Sequence, residues 1–309
     1  MSVVLRKAVL FLFVCLCGVS AFAKEQMVLT SDSVELYVNI EGQGPPCLYI
    51  HGGPGAGSYW LEALMGDSLE QYFQMIYLDQ RGVGRSSSPT DGNFSMNRMV
   101  QDFEEVRKAL GIEQWLTLGH SFGGVLQMGY ATQQPESISA FLFINCSLSL
   151  KESFEGSWLP KAIELAGEKT PEGCMDTEKP IHERMMAVAP VLGQNQLLWK
   201  MFFAHEENDA KMNATYAGFT SWNTDFSQKA FEIKDYWKSY KQQTKEVKQP
   251  VLFFYGTQDW AIGPQHYQGI KFKNLTLKEC EVGHIPFLEA QEDLLKAIRT
   301  FKRKNQEKL

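Results

Sequence analysis

The chain has 309 residues, of which 44% are hydrophobic and 21% are charged, a composition that suits a globular protein with a sizeable core. Its formal net charge is −6 and no basic stripe runs along it, so we exclude a nucleic acid as a partner. No cluster of cysteines and histidines has the spacing of a metal site, and we expect neither a metal ion nor a cofactor.

The N-terminal segment differs from the rest of the chain. Arg6 and Lys7 precede an apolar run over Ala8–Val19, and the small-x-small pattern of Ala21–Ala23 follows it. This three-part pattern is typical of a secretory signal peptide, and the run is too short to span a bilayer comfortably. We therefore predict a signal peptide over residues 1–23, export to the periplasm or the medium, and no stable membrane insertion after cleavage. An uncleaved anchor helix is the alternative.

Short apolar runs predict the strands of a sheet in the next part of the chain. The predicted strands are Val34–Ile40, Cys47–Ile50, Met75–Leu78, Trp115–Leu118 and Phe141–Ile144. Unbroken apolar strands that alternate with helices imply a mostly parallel sheet covered on both faces. The pattern therefore predicts an α/β fold with helices on both sides of its sheet.

Two helices are predicted between these strands. Apolar residues recur at helical spacing over Met96–Leu110, with Ser95 placed as N-cap and Gly111 at the C-terminus. A second helix is predicted over Phe122–Gln134, where Pro135 stops it.

The pattern changes in the middle of the chain. A long stretch there has a helical pattern, many aromatic residues and methionines, and no clear strand. The strand pattern resumes with Val251–Tyr255 and Leu275–Cys280, and Phe287–Phe301 predicts a final amphipathic helix. The predicted units are the signal peptide, the first part of an α/β domain, a helical insertion and the second part of that domain: 1–23, 24–148, 149–249 and 250–309.

Four cysteines follow the signal peptide: Cys47, Cys146, Cys174 and Cys280. Export permits disulfides, but a large core does not need them. Cys47 and Cys146 each lie in an apolar run that predicts a strand, so we expect buried free thiols at these two positions.

The segment Gly119–Gly123, Gly-His-Ser-Phe-Gly, follows a predicted strand and opens a predicted helix. This is the setting of a nucleophile elbow, a sharp turn that exposes a serine hydroxyl and tolerates only small neighbours. Gly124 would let the helix pack close to the sheet. The helix N-terminus favours the negative charge that develops during acyl transfer. The motif therefore predicts Ser121 as a nucleophile.

A serine hydroxyl is a poor nucleophile at neutral pH and needs a base that an acid holds in place. In folds with this elbow, the acid and then the base follow the serine along the chain. Asp259 comes just after one predicted strand and His284 just after the next, at the carboxyl ends where such sheets meet their ligands. We therefore predict His284 as the base and Asp259 as the acid that orients it.

The other histidines are weaker candidates for the base. His51 and His120 precede the serine or adjoin it, which is the wrong order, and we expect them to shape their loops. His182 and His205 lie in the inserted stretch, and His266 is expected in a helix.

A glycine-rich turn, His51–Gly55, follows the first long apolar strand. Such a turn lets backbone N–H groups face the oxyanion of a reacting carbonyl. The predicted oxyanion hole consists of the amides of Gly53 and Phe122; a plain tight turn is the alternative.

Three motifs now stand together: His51–Gly55, Asp79–Ser86 and Gly119–Gly124. Their combination resembles the proline iminopeptidase family of α/β-hydrolase-fold serine hydrolases, on both sides of the insertion. The resemblance implies an α/β-hydrolase fold with a helical cap over the site, and it implies the serine, aspartate and histidine named above as the triad. Asp79 and Arg81 can tie the second motif beside the oxyanion turn by charge-assisted hydrogen bonds.

The chain departs from that family at two places. Family members usually carry Gly-Gly-Ser-Trp-Gly at the elbow, whereas Gly-His-Ser-Phe-Gly is common among general esterases. The family also holds the free amine of its substrate with cap glutamates near an aromatic-rich helix. Glu206 and Glu207, beside Trp199, Phe202 and Phe203, look similar to that region. The resemblance thus implies both glutamates as substrate ligands, with solvated helix charges as the alternative.

These residues predict acyl transfer to water from a small-molecule or short-peptide substrate. The favoured substrate is a short peptide or amino-acid amide with a free N-terminus. A carboxylesterase or lactonase that uses the same triad on an uncharged substrate is the alternative. A binding protein that had kept the fold without catalysis would be expected to have a broken triad. The sequence leaves the oligomeric state open.

Overall fold

The computed structural model describes residues 25–215 and 222–308, so the predicted signal peptide lies outside the described residues. An eight-stranded sheet runs through them. Its strands are β1 (Glu25–Leu29), β2 (Glu35–Glu41), β3 (Pro46–Ile50), β4 (Gln74–Leu78), β5 (Trp115–Ser121), β6 (Ile138–Cys146), β7 (Val251–Gly256) and β8 (Leu275–Cys280).

The strand order is β1-β2-β4-β3-β5-β6-β7-β8. β2 is antiparallel to both β1 and β4, and every other neighbouring pair is parallel. Alternate residues of β3 enter opposite cores: Leu48 and Ile50 pack on one face of the sheet, Cys47 and Tyr49 on the other. The mostly parallel sheet covered on both faces is therefore confirmed.

Helices flank this sheet, and six of the described helices lie between β6 and β7. They are α1 (Tyr59–Leu69), α2 (Met96–Ala109), α3 (Gly123–Gln133), α4 (Leu150–Ser153), α5 (Leu159–Ala166), α6 (Glu172–Met175), α7 (Ile181–Gln194), α8 (Glu207–Thr215), α9 (Asp225–Lys229), α10 (Pro286–Glu289) and α11 (Gln291–Lys304). Short 3-10 turns connect several of them. Within the described ranges, no helix combines the length and the apolar character that crossing a bilayer requires.

The chain between β6 and β7 carries α4 to α9. A separate apolar cluster holds these helices together, with buried members that include Trp158, Ala162, Val188, Leu192 and Met201. This part of the chain thus has a core of its own beside the two cores of the sheet. The unit boundaries themselves stay predictions.

Two helical predictions need correction. The final helix is two helices, because Ala290 leaves the helical conformation (φ −144°, ψ 49°) between α10 and α11. His266 lies in a run of turns and not in a helix. Gly263 and Gly269, on either side of it, both have positive φ, which interrupts helical geometry. The sequence also contained a helical signal that the prediction missed, since apolar residues recur at helical spacing in α1.

The cysteines with described surroundings are free thiols. Cys47 on β3 and Cys146 on β6 are buried, as predicted. Burial away from water raises the pKa of both thiols, so neither is a ready nucleophile.

Candidate active site

The elbow is built at the end of β5. Ser121 is its last residue and has a φ of 56°, a left-handed conformation that is rare for a residue with a side chain. The pairing of β5 with β6 shifts register between His120 and Ser121, and α3 begins two residues later at Gly123. Strained backbone of this kind persists only where the surrounding structure enforces it, which is common at functional sites.

Glycines make this turn sterically possible. A Cβ at Gly119 would overlap the side chain of Gln127, and one at Gly123 would overlap the carbonyl of Ile50. At Gly124 a Cβ would lie 2.5 Å from that of Cys146. The elbow glycines therefore sit where the helix, the turn and the neighbouring strands come too close for any side chain.

The predicted base and acid meet although 25 residues separate them. His284 Nδ1 lies 2.9 Å from Asp259 Oδ2, and both side chains are buried. Asp259 Oδ1 accepts a hydrogen bond of 3.0 Å from the backbone N–H of Ile262. Asp259 is thus held on both oxygens, and its contact with Nδ1 leaves Nε2 of the imidazole available for the predicted role as base.

Asn145, at the end of β6, holds the same acid from the other side. Its Nδ2 donates to Asp259 Oδ2 at 3.0 Å and to the carbonyl of Gly283 at 2.8 Å. One buried amide therefore joins the acid to the loop that carries His284. Sequence reasoning missed this residue, although its place just after an apolar strand was a usable signal.

Ser121 and His284 line one cavity of about 420 Å³. No hydrogen bond joins the serine hydroxyl to the imidazole in the described structure. Catalytic hydrogen bonds often become short only when substrate is bound, so a free structure without this bond is compatible with a catalytic pair. The cavity is lined mainly by apolar side chains, among them Trp60, Leu150, Phe154, Trp158, Met185, Met212 and Phe231.

The glycine-rich turn packs directly on the elbow. A Cβ at Gly52 would lie 2.5 Å from that of Ser121 and 3.3 Å from the backbone nitrogen of Phe122. Gly53, with a φ of 109°, and Phe122 both line the cavity. The two residues predicted to form the oxyanion hole thus lie at the same cavity as the serine.

Buried polar contacts support this turn from below. His51 Nε2 accepts a hydrogen bond of 3.2 Å from the backbone N–H of Gln80, whose side chain donates to the carbonyl of His51 at 3.1 Å. Burial lowers the pKa of His51 to about 4, so its imidazole is neutral and can accept. The expectation that His51 shapes its loop agrees with these contacts.

Asp79 and Arg81, in the Asp79–Ser86 motif, form ion pairs with different residues. Asp79 pairs with Arg85 at 2.7 Å and accepts from the backbone N–H of Ser58 at 2.8 Å. Burial acts to raise the pKa of Asp79, but the hydrogen bond and charge of Arg85 hold it below the ordinary value. Arg81 instead pairs with Asp102 at 2.6 Å and with Asp32 at 2.9 Å. Both residues anchor the motif, as expected.

His120 packs against His284. Its Nε2 lies 2.8 Å from the carbonyl oxygen of His284, and the two imidazole rings are 4.6 Å apart. Burial, together with the charge of His284, lowers the pKa of His120 well below its ordinary value. A neutral ring at this position can donate to the carbonyl of His284 and help to fix the loop that carries the base.

The structure does not bring the predicted substrate glutamates to the cavity. Glu206 and Glu207 are exposed, and neither lines it. Asp209, on α8, does line it, together with Phe202 and Phe203. The sequence directed attention to this segment, but it could not show which of its carboxylates lines the cavity.

Comparisons with known proteins agree with this fold. The family model described as alpha/beta hydrolase fold matches residues 45–291. The chain is similar to the proline iminopeptidase of Heyndrickxia coagulans, with 26% identity over 270 residues that cover 84% of this chain and 91% of that one.

Solved structures show the same fold. A proline iminopeptidase-related protein of Thermus thermophilus is similar with a TM-score of 0.75 and 21% identity, over 93% of this chain and 100% of that one. The enol-lactonase of Burkholderia xenovorans is similar with a TM-score of 0.66 and 18% identity, over 90% and 100%. Proteins described as a peptidase relative and as a lactonase thus share this architecture.

Proposed function

Because the chain is a proline iminopeptidase-like member of the alpha/beta hydrolase fold family, we propose that it is a serine hydrolase that releases the N-terminal residue of short peptides or amides. Ser121, His284 and Asp259 would form its triad. The observation that supports this most is the hydrogen bond between the buried imidazole and Asp259, at the cavity that Ser121 also lines.

In the proposed reaction Ser121 Oγ bonds to the carbonyl carbon of the substrate while His284 Nε2 takes the hydroxyl proton. The ionised Asp259 stabilises the imidazolium, and the amides of Gly53 and Phe122 donate to the oxyanion. The imidazolium then gives its proton to the leaving amine as the carbon–nitrogen bond breaks. Water attacks the acyl-enzyme with His284 as base, which releases the acid and restores the serine.

The cap segment offers one group for a free amine. Asp209 is the carboxylate among the described residues that line the cavity, and a substrate ammonium beside it would gain a charge-assisted hydrogen bond. Neither Glu206 nor Glu207 lines the cavity, which favours Asp209 over both of them for this role.

A carboxylesterase or lactonase is the second candidate. The mainly apolar lining supports it, because an uncharged acyl group would gain from burial there without any need for Asp209. Both candidates use the same triad and differ in whether the substrate needs a free amine.

Side-by-side kinetics separate them. The substrates are an amino-acid arylamide with a free amine, its N-acetylated counterpart and a simple aryl ester. For a peptidase, Asp209→Asn lowers kcat/KM for the free-amine arylamide about fivefold or more and leaves ester hydrolysis near the wild-type rate. Glu206→Gln and Glu207→Gln are matched controls that should leave both activities unchanged. Ester hydrolysis with no arylamide turnover would refute the peptidase and support the esterase.

Covalent labelling tests the reactive serine that both candidate functions require. A fluorophosphonate probe should label the wild-type protein, and Ser121→Ala should abolish the labelling. A folded wild-type protein that is not labelled would contradict serine hydrolase chemistry of either kind.

We also propose that the protein is exported, supported by the three-part pattern of residues 1–23. Expression of the full chain in a Gram-negative host, followed by N-terminal sequencing of the mature protein, should give a start at Lys24. An intact N-terminus in the cytoplasmic fraction would contradict this.

A further inference from the structure

Glu289, the last residue of α10, binds two separate parts of the molecule at once. Its Oε1 accepts hydrogen bonds of 2.9 Å from the backbone N–H of Ala204 and from Nδ2 of Asn208. Its Oε2 accepts one of 2.9 Å from the backbone N–H of Gly283. One half-buried carboxylate thus takes N–H groups from the cap and from the residue that precedes the base.

These two parts also touch each other without Glu289. We define the His284 loop as Glu281–Pro286 and the cap segment as Phe202–Met212. The backbone N–H of His284 donates to the carbonyl of Phe202 at 2.6 Å. A Cβ at Gly283 would lie 2.5 Å from that carbonyl oxygen and 2.8 Å from Glu289 Oε2. The His284 loop is therefore docked against the cap segment with no space for a side chain between them.

The cap segment supplies part of the cavity wall. Phe202, Phe203, Asp209 and Met212 all line the cavity that holds Ser121. Asn208, which is buried, fixes the first turn of α8 to Glu289. A shift of the cap segment would move this part of the cavity wall together with Phe202, whose carbonyl accepts from the backbone N–H of His284.

We propose that Glu289 is a positioning residue that fastens the cap segment to the His284 loop, so that the imidazole and the cavity wall reach their working positions together. This inference rests on the proposed serine hydrolase function. Glu289 itself touches neither the serine nor the cavity among the described contacts; it acts through Gly283 on one side and through Ala204 and Asn208 on the other.

Carboxylate chemistry suits this position better than an amide. Three N–H donors meet the two oxygens, and an ionised carboxylate can accept all of them. A glutamine has one acceptor oxygen, so its NH₂ group would face a donor on one side. Glu289→Gln therefore keeps the size of the side chain and detaches either the loop or the cap segment.

The test compares Glu289→Gln with Glu292→Gln, which alters a neighbouring carboxylate whose side chain is 87% exposed. Asn208→Ala is the second variant, since it removes a cap-side partner alone. We expect Glu289→Gln to slow fluorophosphonate labelling about 10- to 100-fold, as for the loss of a hydrogen bond to a charged group. Looser orientation of the imidazole should also change the pH profile of the labelling rate. Glu292→Gln should match the wild type in both.

Amide hydrogen exchange supplies a measurement that does not depend on the reactivity of Ser121. In Glu289→Gln the amides of Ala204, Gly283 and His284 should lose protection together, while the strands of the sheet keep theirs. Asn208→Ala should slow labelling less than Glu289→Gln does. The double variant should slow labelling by a smaller factor than the product of the two single-variant factors, because both changes disrupt the same contact.

The outcomes distinguish the two proposals. If the wild type is not labelled, the proposed function fails, and the exchange data alone then decide on Glu289. If the wild type is labelled and folded Glu289→Gln keeps its rate and pH profile, the positioning role is overturned even if the variant melts earlier. Unchanged protection at Ala204 and Gly283 would overturn it as well.

Discussion

Asn145 gives the sharpest prediction from the site. It has a φ of 46°, which glycine adopts without strain, so Asn145→Gly removes the amide and keeps the backbone. The change removes the donor to Asp259 Oδ2 at 3.0 Å and the donor to the carbonyl of Gly283 at 2.8 Å. The variant therefore loses the hydrogen bonds that hold Asp259 and the loop that carries His284.

The expected magnitude follows from these two contacts. A hydrogen bond to a charged group contributes about 1.5–3 kcal/mol. The charge of Asp259 matters most when the imidazolium forms in the transition state, so we expect most of this loss in the barrier. We therefore predict that kcat/KM for a fluorogenic ester falls about 10- to 100-fold.

The assay measures initial rates on protein shown by circular dichroism to be folded, with urea unfolding alongside. Gln196→Gly is the matched control, because Gln196 has a φ of 56° and is exposed. It should leave the rate unchanged. An Asn145→Gly protein that is folded and within twofold of the wild type would refute the idea that this amide supports the acid.

Two further predictions concern stability. Gly124→Ala forces a Cβ to within 2.5 Å of that of Cys146 and should destabilise the fold by about 1–3 kcal/mol. Gly193→Ala lies in α7 with no atom within 4 Å of its Cβ, so it should stabilise the fold by about 0.5–1 kcal/mol. Urea unfolding of both variants measures the difference. Burial lowers the pKa of His266 to about 3, so the unfolded state binds a proton below pH about 6.5 that the native state does not, and stability is lost as the pH falls. His266→Gln should therefore flatten the loss of stability between pH 6.5 and 5 by up to about 1.4 kcal/mol per pH unit, and an unchanged slope would show that His266 titrates alike in both states.

The sheet could be predicted because its signals are local. Each strand buried on both faces must be apolar along its length, and the chain of Trp115–Ser121 is buried at every position. Ser121 ends β5, Asp259 follows β7 and His284 follows β8, and parallel strands place their carboxyl ends at one edge of the sheet. Sequence order and strand direction together were enough to expect the acid and the base near each other.

The supporting contacts could not be predicted in that way. Glu289 reaches Ala204 across 85 residues, and Asn145 reaches Asp259 across 114, with no periodic pattern to connect them. Such contacts depend on how the cap helices pack against the sheet, and this packing joins residues that are far apart in the sequence. The break at Ala290, which ends α10 just after Glu289, likewise has no sequence signal that we recognised.

The sequence by itself determined the α/β layering, the tight turn at Ser121 and the two loops that carry Asp259 and His284, because burial and tight turns restrict residue types at each position. Only the tertiary structure decided that Asp209, and neither Glu206 nor Glu207, lines the cavity. Successive helix residues point about 100° apart, so Glu207 and Asp209 face different directions, and the packing of α8 against its neighbours places Asp209 at the cavity.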